Sequence, residues 1–275
     1  MKAIVKYPGS KWSMANWIIS HFPEHHSYLE PFFGSGAVLF NKERSNIETV
    51  NDRDGNVVNL FECIRTDPEK LAAMIYLTPY SREVYEKAYL EMPTDKYEAA
   101  LNFYIKLNMG HGFRTSGEKV GWKNDVQGRE RSYASKDWCD LPDKILLAAE
   151  RLRGVQIENL PAVKLIRRFN YKNVLIYCDP PYMWEVRYGK QYRCEMSDND
   201  HEELLLTLKE HKGPALISGY DTEMYQDMLS GWNRYENVSY SHSGSKKKEV
   251  LWLNYSPTFK QLTIEDFMKG SCIRS

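Results

Sequence analysis

The sequence predicts an α/β protein: a mostly parallel sheet covered by helices on both faces, with a C-terminal antiparallel hairpin and a mainly helical insertion. Three observations predict it. Short apolar, strand-like runs alternate with helical patterns along most of the 275 residues, as in chains built from βαβ units. The last two strand-like runs are joined by a short polar link, which favours a hairpin. From about residue 66 to 150 the alternation stops and helical patterns take over.

Taken in order, a turn and a helix lead to Tyr28-Leu29-Glu30-Pro31-Phe32, a short strand entering a glycine turn. A helix is expected from Ala37 to Arg44, a strand at Glu48-Thr49-Val50-Asn51, and a helix from Asp54 to Ile64 with Val57, Val58, Leu60, Phe61 and Ile64 near one face. Three helical patterns follow at 68–76, 81–91 and 95–107. Asn108 to Leu141 is rich in Gly, Ser, Lys and Arg and has no sustained period; a loop that long is usually functional or disordered. A helix from 143, a strand at Val155-Gln156-Ile157-Glu158 and a short helix near 161–168 precede the apolar run Val174-Leu175-Ile176-Tyr177-Cys178. Met183 to Ser197 reads as irregular. Helices at 198–210 and 221–230 and strands at 215–218, 234–240 and 249–255 complete the chain. Residues 1–65 and 151–275 are therefore expected to form the sheet domain, with 66–150 inserted into it.

Composition narrows the function classes. The formal net charge is zero, so nucleic-acid binding would have to rest on local basic patches. Aromatics are abundant, with 19 Tyr and 7 Trp, which suits base stacking and plain packing alike. Five widely spaced cysteines without a C-x-x-C pair, and histidines without H-E-x-x-H spacing, argue against a metal site and a disulfide framework. No apolar stretch of about 18 residues is present to span a membrane. A cytoplasmic, monomeric protein is expected.

Asp179-Pro180-Pro181-Tyr182 follows the buried-looking run at 174–178. Each Pro fixes its own φ and removes a backbone donor, and each restricts the residue before it. The corner therefore offers carbonyl oxygens, a carboxylate and an aromatic face. That combination suits an exocyclic amine on a flat heteroaromatic ring. A strand end with a proline turn is the plainer reading of these four residues alone.

Three further elements bear on a ligand. Glu30-Pro31-Phe32-Phe33-Gly34-Ser35-Gly36 places a G-x-G between strand and helix, where a ligand can approach the backbone closely. It lacks the third glycine of the dinucleotide fingerprint, Leu39 standing there. Asp52 ends the next strand, where nucleotide-binding folds carry an acid for the ribose hydroxyls; both Asp52 and Asp54 are good helix N-caps, with the ribose role the first reading for Asp52 and capping the first for Asp54. Tyr7-Pro8-Gly9-Ser10-Lys11 could set an aromatic and a cation beside a carboxylate-bearing ligand, or be a surface turn.

In their order and spacing these elements resemble the Dam-type DNA adenine methyltransferases, over nearly the whole chain. The resemblance implies a Rossmann-like methyltransferase sheet with an inserted target-recognition region, S-adenosyl-L-methionine as cofactor and double-stranded DNA as partner, with no metal. It implies that Tyr7 and Lys11 contact the cofactor near its methionine end. Glu30, Pro31, Phe32, Gly34 and Gly36 would line its loop, Asp52 would hold the ribose, and Asn159 would lie near the adenine. Asp179 would sit between cofactor and target, with Pro180, Pro181 and Tyr182 completing the catalytic corner. Two departures stand out: Tyr7-Pro8-Gly9-Ser10 replaces the family's W-x-G-G, and Gly219-Tyr220 stands where many relatives have Asn-His.

For DNA contact, Met183 to Ser197 is the candidate lid, interleaving Arg187, Lys190 and Arg193 with Tyr188 and Tyr192. Arg114, Asn124, Gln127 and Arg129 in the basic stretch could read bases. Lys246 and Lys247, in the expected hairpin link, are candidates for phosphate contact. Each of these residues singly is equally compatible with solvated surface. Besides adenine N6 methylation, two other functions fit: methylation of another exocyclic amine (cytosine N4, or adenine in RNA), and a catalytically silent binding protein.

Overall fold

A computed structural model of the protein describes residues 3–124, 133–183, 189–240 and 246–257. One seven-stranded sheet organises them, in the order β3-β2-β1-β4-β5-β7-β6. The strands are β1 (Ser27–Glu30), β2 (Ile47–Asn51), β3 (Val155–Glu158), β4 (Val174–Cys178), β5 (Ala215–Gly219), β6 (Asn233–Tyr240) and β7 (Lys246–Leu253). Five strands run parallel in register, and β7 is antiparallel to both β5 and β6. The α/β class, the dominance of parallel pairing and the final hairpin are as the sequence predicts.

The central strands β4 and β5 are buried along their whole length. This explains their continuous apolar sequence, since a parallel strand is covered on both faces. Their side chains still alternate. Leu175, Tyr177 and Leu216 join one core, and Val174, Ile176, Cys178, Ala215 and Ile217 join the other. The second core is closed by α8 (Ala162–Arg168), α9 (Asp198–Lys209) and α10 (Glu223–Met228). The first takes α1 (Ala15–Ile19) and α2 (Gly55–Thr66). It also takes the helices of the 66–150 stretch: α3 (Pro68–Leu77), α4 (Arg82–Leu90), α5 (Lys96–Met109), α6 (Ala134–Cys139) and α7 (Leu141–Arg151). Of those helices α3, α5 and α7 pack on α2, and α4 and α6 join the same apolar cluster through α5. A buried ion network ties their return to the sheet: Glu48 accepts from Lys42 at 2.5 Å and from both terminal nitrogens of Arg151 at 2.6 and 2.8 Å.

Three local expectations change. The helix expected from Ala37 to Arg44 is a set of turns. Phe40 and Lys42 donate four residues back, to Gly36 and Val38, but Asn41 donates three back to Val38. The Asn41 side chain takes the Ala37 carbonyl at 2.7 Å, which competes with a continuing helical ladder. Helix α6 lies inside the stretch expected to be irregular, nucleated where Ala134 and Trp138 bury. Lys246 and Lys247 belong to β7, paired with Tyr240 and Ser239, and not to the hairpin link. The strand extends further because β6 runs on to Tyr240 and supplies the backbone partners of 246–249 beyond the end of β5.

The order of the strands locates the site. The chain crosses from β1 outward to β2 and β3, then returns to β4 on the other side of β1. In such a sheet the crevice lies outside the carboxyl ends of the strands at this reversal. The glycine loop after β1 and the segment after β4 flank it.

Candidate active site

Strand β1 delivers Glu30 to the crevice floor and then turns through Gly34 (φ 48°) and Gly36 (φ 68°). Gly36 is required by packing: a Cβ there would lie 2.6–2.8 Å from the rings of Phe40 and Phe33. Gly34 faces the crevice, and a Cβ there would lie 3.1 Å from the Tyr7 ring. Its amide donates to the Asp52 carboxylate at 2.8 Å, and the Asp54 amide donates to the other oxygen at 2.8 Å. Asp54 itself caps α2 by accepting from the Asn56 amide at 2.9 Å. Asp54 is thus the cap of the helix, as the sequence favours, and Asp52 joins the loop after β1 to the end of β2. Burial pushes the Asp52 carboxyl from 3.8 up to about 7, against the pull of those amides. Burial likewise lifts Glu30 to about 8, opposed by the Tyr28 hydroxyl that donates to it at 2.8 Å.

At the end of β4, the Asp179 carboxylate meets Lys11 Nζ at 2.9 Å and accepts from the Ser218 hydroxyl at 2.9 Å. Lys11 is 4% exposed and also donates to the Gly9 carbonyl at 2.9 Å. Burial lowers the lysine, but Asp179 and then Glu249 outweigh it and leave its pKa raised. Burial raises Asp179, and Lys11 offsets part of that rise. The N-terminal turn is therefore part of the site: Lys11 reaches the β4 corner, while Ser10 pairs with Ser35 of the glycine loop at 2.8 Å. Tyr182 lies beside this pair, with Lys11 4.7 Å from its ring centroid and its hydroxyl 2.5 Å from Glu249.

One cavity of about 400 Å³ joins these elements, within the size range of small-molecule sites. Its lining carries seven carboxylates, including Glu30, Asp52, Asp54 and Asp179, against three cations, Lys11, Arg53 and Arg193. The segment 192–196 forms part of its lining. That strap is fastened on two sides. Tyr192 donates to the Pro8 carbonyl at 3.2 Å, and the Thr115 amide donates to the Gln191 carbonyl at 2.9 Å. Arg193 reaches Asp54 at 3.6 Å.

Compared with known families, residues 7–242 match the model of the D12 class N6 adenine-specific DNA methyltransferases. The chain belongs to this family. Relatives include a DNA adenine methylase of Salmonella typhi, 26% identical over 276 residues that cover 93% of this chain and 96% of the relative. A DNA adenine methylase of Vibrio cholerae is 24% identical over 66% of this chain. The type II methyltransferase M.FokI of Planomicrobium okeanokoites is 23% identical over 93% of this chain. The matched region spans 65% of the Vibrio relative and 43% of M.FokI.

Within this D12 class chain, Tyr7, Lys11, Glu30, Pro31, Phe32, Gly34, Asp52, Asp179 and Pro181 all line the cavity, together with Tyr192 and Arg193 of the expected lid. Gly36 lies behind the loop. Asn159 stands off the cavity and braces it, donating to the carbonyl of Asp52 at 2.7 Å. Pro180 and Tyr182 lie beside the cavity and not in its lining. Arg114, Asn124 and Lys190 are exposed, Arg114 lying 3.4 Å from Glu118. Gln127, Arg129, Arg187 and Tyr188 lie outside the described residues. Ser218 and Glu249 were not legible in the sequence; each sits in an ordinary-looking strand with no motif around it. No helix among the described residues is long and apolar enough to cross a membrane.

Proposed function

We propose that this protein transfers a methyl group from S-adenosyl-L-methionine to the N6 amine of an adenine rotated out of duplex DNA. The observation that carries the reading is the single cavity shared by the glycine loop, Asp52 and Asp179. The cofactor carries a sulfonium and an ammonium against one carboxylate, and a lining rich in carboxyl groups complements it even though burial holds Glu30 and Asp52 partly protonated. When bound, the cofactor would supply an electrophilic methyl group on sulfur.

The chain's own residues do the rest. Tyr7 and the glycine loop form the walls, and Asp52, held open by two backbone amides, accepts from the ribose hydroxyls. An aromatic amine is a poor nucleophile because its lone pair is delocalised into the ring. Asp179 accepts one N–H of the target and the Pro180 carbonyl accepts the other, which favours pyramidal nitrogen and aims its lone pair. Tyr182 packs on the base. Positioning and electrostatic complementarity are the main catalytic contributions. Lys11 favours the charged form of the buried Asp179 carboxyl against the rise that burial imposes.

Rotating the base out of the stack costs a few kcal/mol. Arg114 and Lys190 are exposed beside the Thr115–Gln191 pairing that leads into the lining segment 192–196, and would meet phosphates there. The 66–150 insertion is accordingly the target-recognition region. Incubation with methyl-labelled S-adenosylmethionine and mixed-sequence duplex DNA tests the reading. Label is expected in N6-methyladenine; label confined to cytosine or to RNA refutes it.

A further inference from the structure

Strand β7 is the sheet's only antiparallel partner of β5 among the described residues, so its beginning lies where β4 and β5 end. The register sets Val250 opposite Gly219. Glu249, one residue earlier, therefore arrives at the same edge as Asp179. It is 7% exposed. A glutamate is seldom so buried without a partner, because burying its charge is costly. Its carboxylate accepts from the Tyr182 hydroxyl at 2.5 Å. A charge-assisted O–H···O bond of this length is among the stronger ones.

The same tyrosine is constrained elsewhere. The Tyr220 ring lies 4.5 Å away, centroid to centroid, at 59°, and Lys11 stands 4.7 Å from the Tyr182 ring centroid. The two chemistry-bearing side chains of the corner are thus each held by a different buried group. Asp179 is held by Lys11 and Ser218, and Tyr182 is held at its far tip by Glu249. A leucine at 249 would fill the same space without burying a carboxylate. What the glutamate adds is a directional acceptor at the end of a long side chain.

We propose that Glu249 is a positioning residue that orients the Tyr182 ring for the incoming base. This rests on the methyl-transfer reading above. Glu249 is not among the residues that line the cavity; its charge also acts on Lys11 and Asp179, so the Tyr182→Phe background, which keeps that charge and removes the bond, separates ring orientation from electrostatics. Glu249 should act on the transfer step and spare the cofactor.

The test compares Glu249→Leu, Glu249→Gln, Tyr182→Phe and the Glu249→Leu/Tyr182→Phe pair. Single-turnover methyl transfer to duplex DNA and direct S-adenosylmethionine binding are measured, with folding checked by thermal melting. Glu249→Leu is expected to slow transfer about tenfold or more, with cofactor affinity changed less than about twofold. Glu249→Gln, which keeps an acceptor oxygen, should recover most of the rate. In the Tyr182→Phe background Glu249→Leu should add nothing, because the bond is already gone. Losses that add across the pair, an unslowed Glu249→Leu, or a loss explained by weaker cofactor binding would each overturn the inference. Should Glu249→Leu fail to fold, Glu249→Gln carries the comparison: a loss of about two- to threefold that requires the Tyr182 hydroxyl supports it, and one that persists in Tyr182→Phe overturns it. An active wild type with these outcomes reversed sinks this inference alone. A wild type that transfers no methyl to any nucleic acid sinks the functional reading with it.

Discussion

Asp52 and Asp179 line the same cavity, and both are held above the ordinary carboxylate range by burial. Their partners differ in kind. Asp52 is held by two backbone amides, of Gly34 and Asp54, fixed by the loop after β1 and the start of α2. Asp179 is held by side chains, the Lys11 ammonium and the Ser218 hydroxyl. Amides cannot leave without unfolding the loop; side chains can yield one lone pair to an entering amine. The first arrangement suits a residue that binds the same ligand in every cycle. The second suits a residue that must exchange partners during a reaction.

Substitutions can break that contrast. The largest effect is expected from Asp179→Ala: a loss of kcat of about a thousandfold or more, with DNA affinity by filter binding within a few-fold of wild type. Undiminished turnover would remove Asp179 from the mechanism. Lys11→Met leaves the Asp179 carboxylate buried and unpaired. It should cost about 3–5 kcal/mol of stability in urea unfolding. Because Lys11 holds the Asp179 pKa down, its removal should shift the acid limb of the kcat profile to higher pH. An unmoved limb would mean that Asp179 does not titrate in that range.

Asp52→Asn sharpens the other side of the comparison. It should weaken S-adenosylmethionine binding by about 1.5–3 kcal/mol by calorimetry and leave kcat at saturation nearly unchanged. The folded pKa of Asp52, about 7, lies above its ordinary 3.8. Its contribution to stability is therefore full below the unfolded value and is lost as pH rises through 7. Ribose hydroxyls donate to the ionised form, so cofactor affinity should rise from about pH 6 to about pH 8. Asp52→Asn should flatten that rise; a persisting rise would assign it to another group. The smallest effect is expected from Gly34→Ala. The positive φ costs about 1–2 kcal/mol for a residue with a Cβ, and the methyl group would press on the Tyr7 ring. A modest drop in melting temperature and weaker cofactor binding should follow, with normal kcat at saturation.

Much of this was open to a reading of the residues alone. The continuous apolar runs of β4 and β5 and the helical periods around them predict a covered parallel sheet, because burial on both faces leaves no place for alternation. Asp179-Pro180-Pro181-Tyr182 and the glycines at 34 and 36 announce rigid turns, because Pro and Gly act on their own backbone whatever surrounds them. Residues 37–44 read as helix but fold as turns because a buried turn and a short helix share one apolar pattern.

What only the tertiary structure decided were meetings between distant parts of the chain. Lys11 reaches Asp179 across 168 positions because the N-terminal turn docks over the β1–β4 reversal. Asp52 receives the Gly34 amide across 18 positions because the loop after β1 folds over the end of β2. Glu249 joins the corner because β7 runs antiparallel and brings its first residues back to the carboxyl edge. Local sequence sets backbone preference and burial pattern. Which side chains meet depends on strand order and direction, which are properties of the whole sheet.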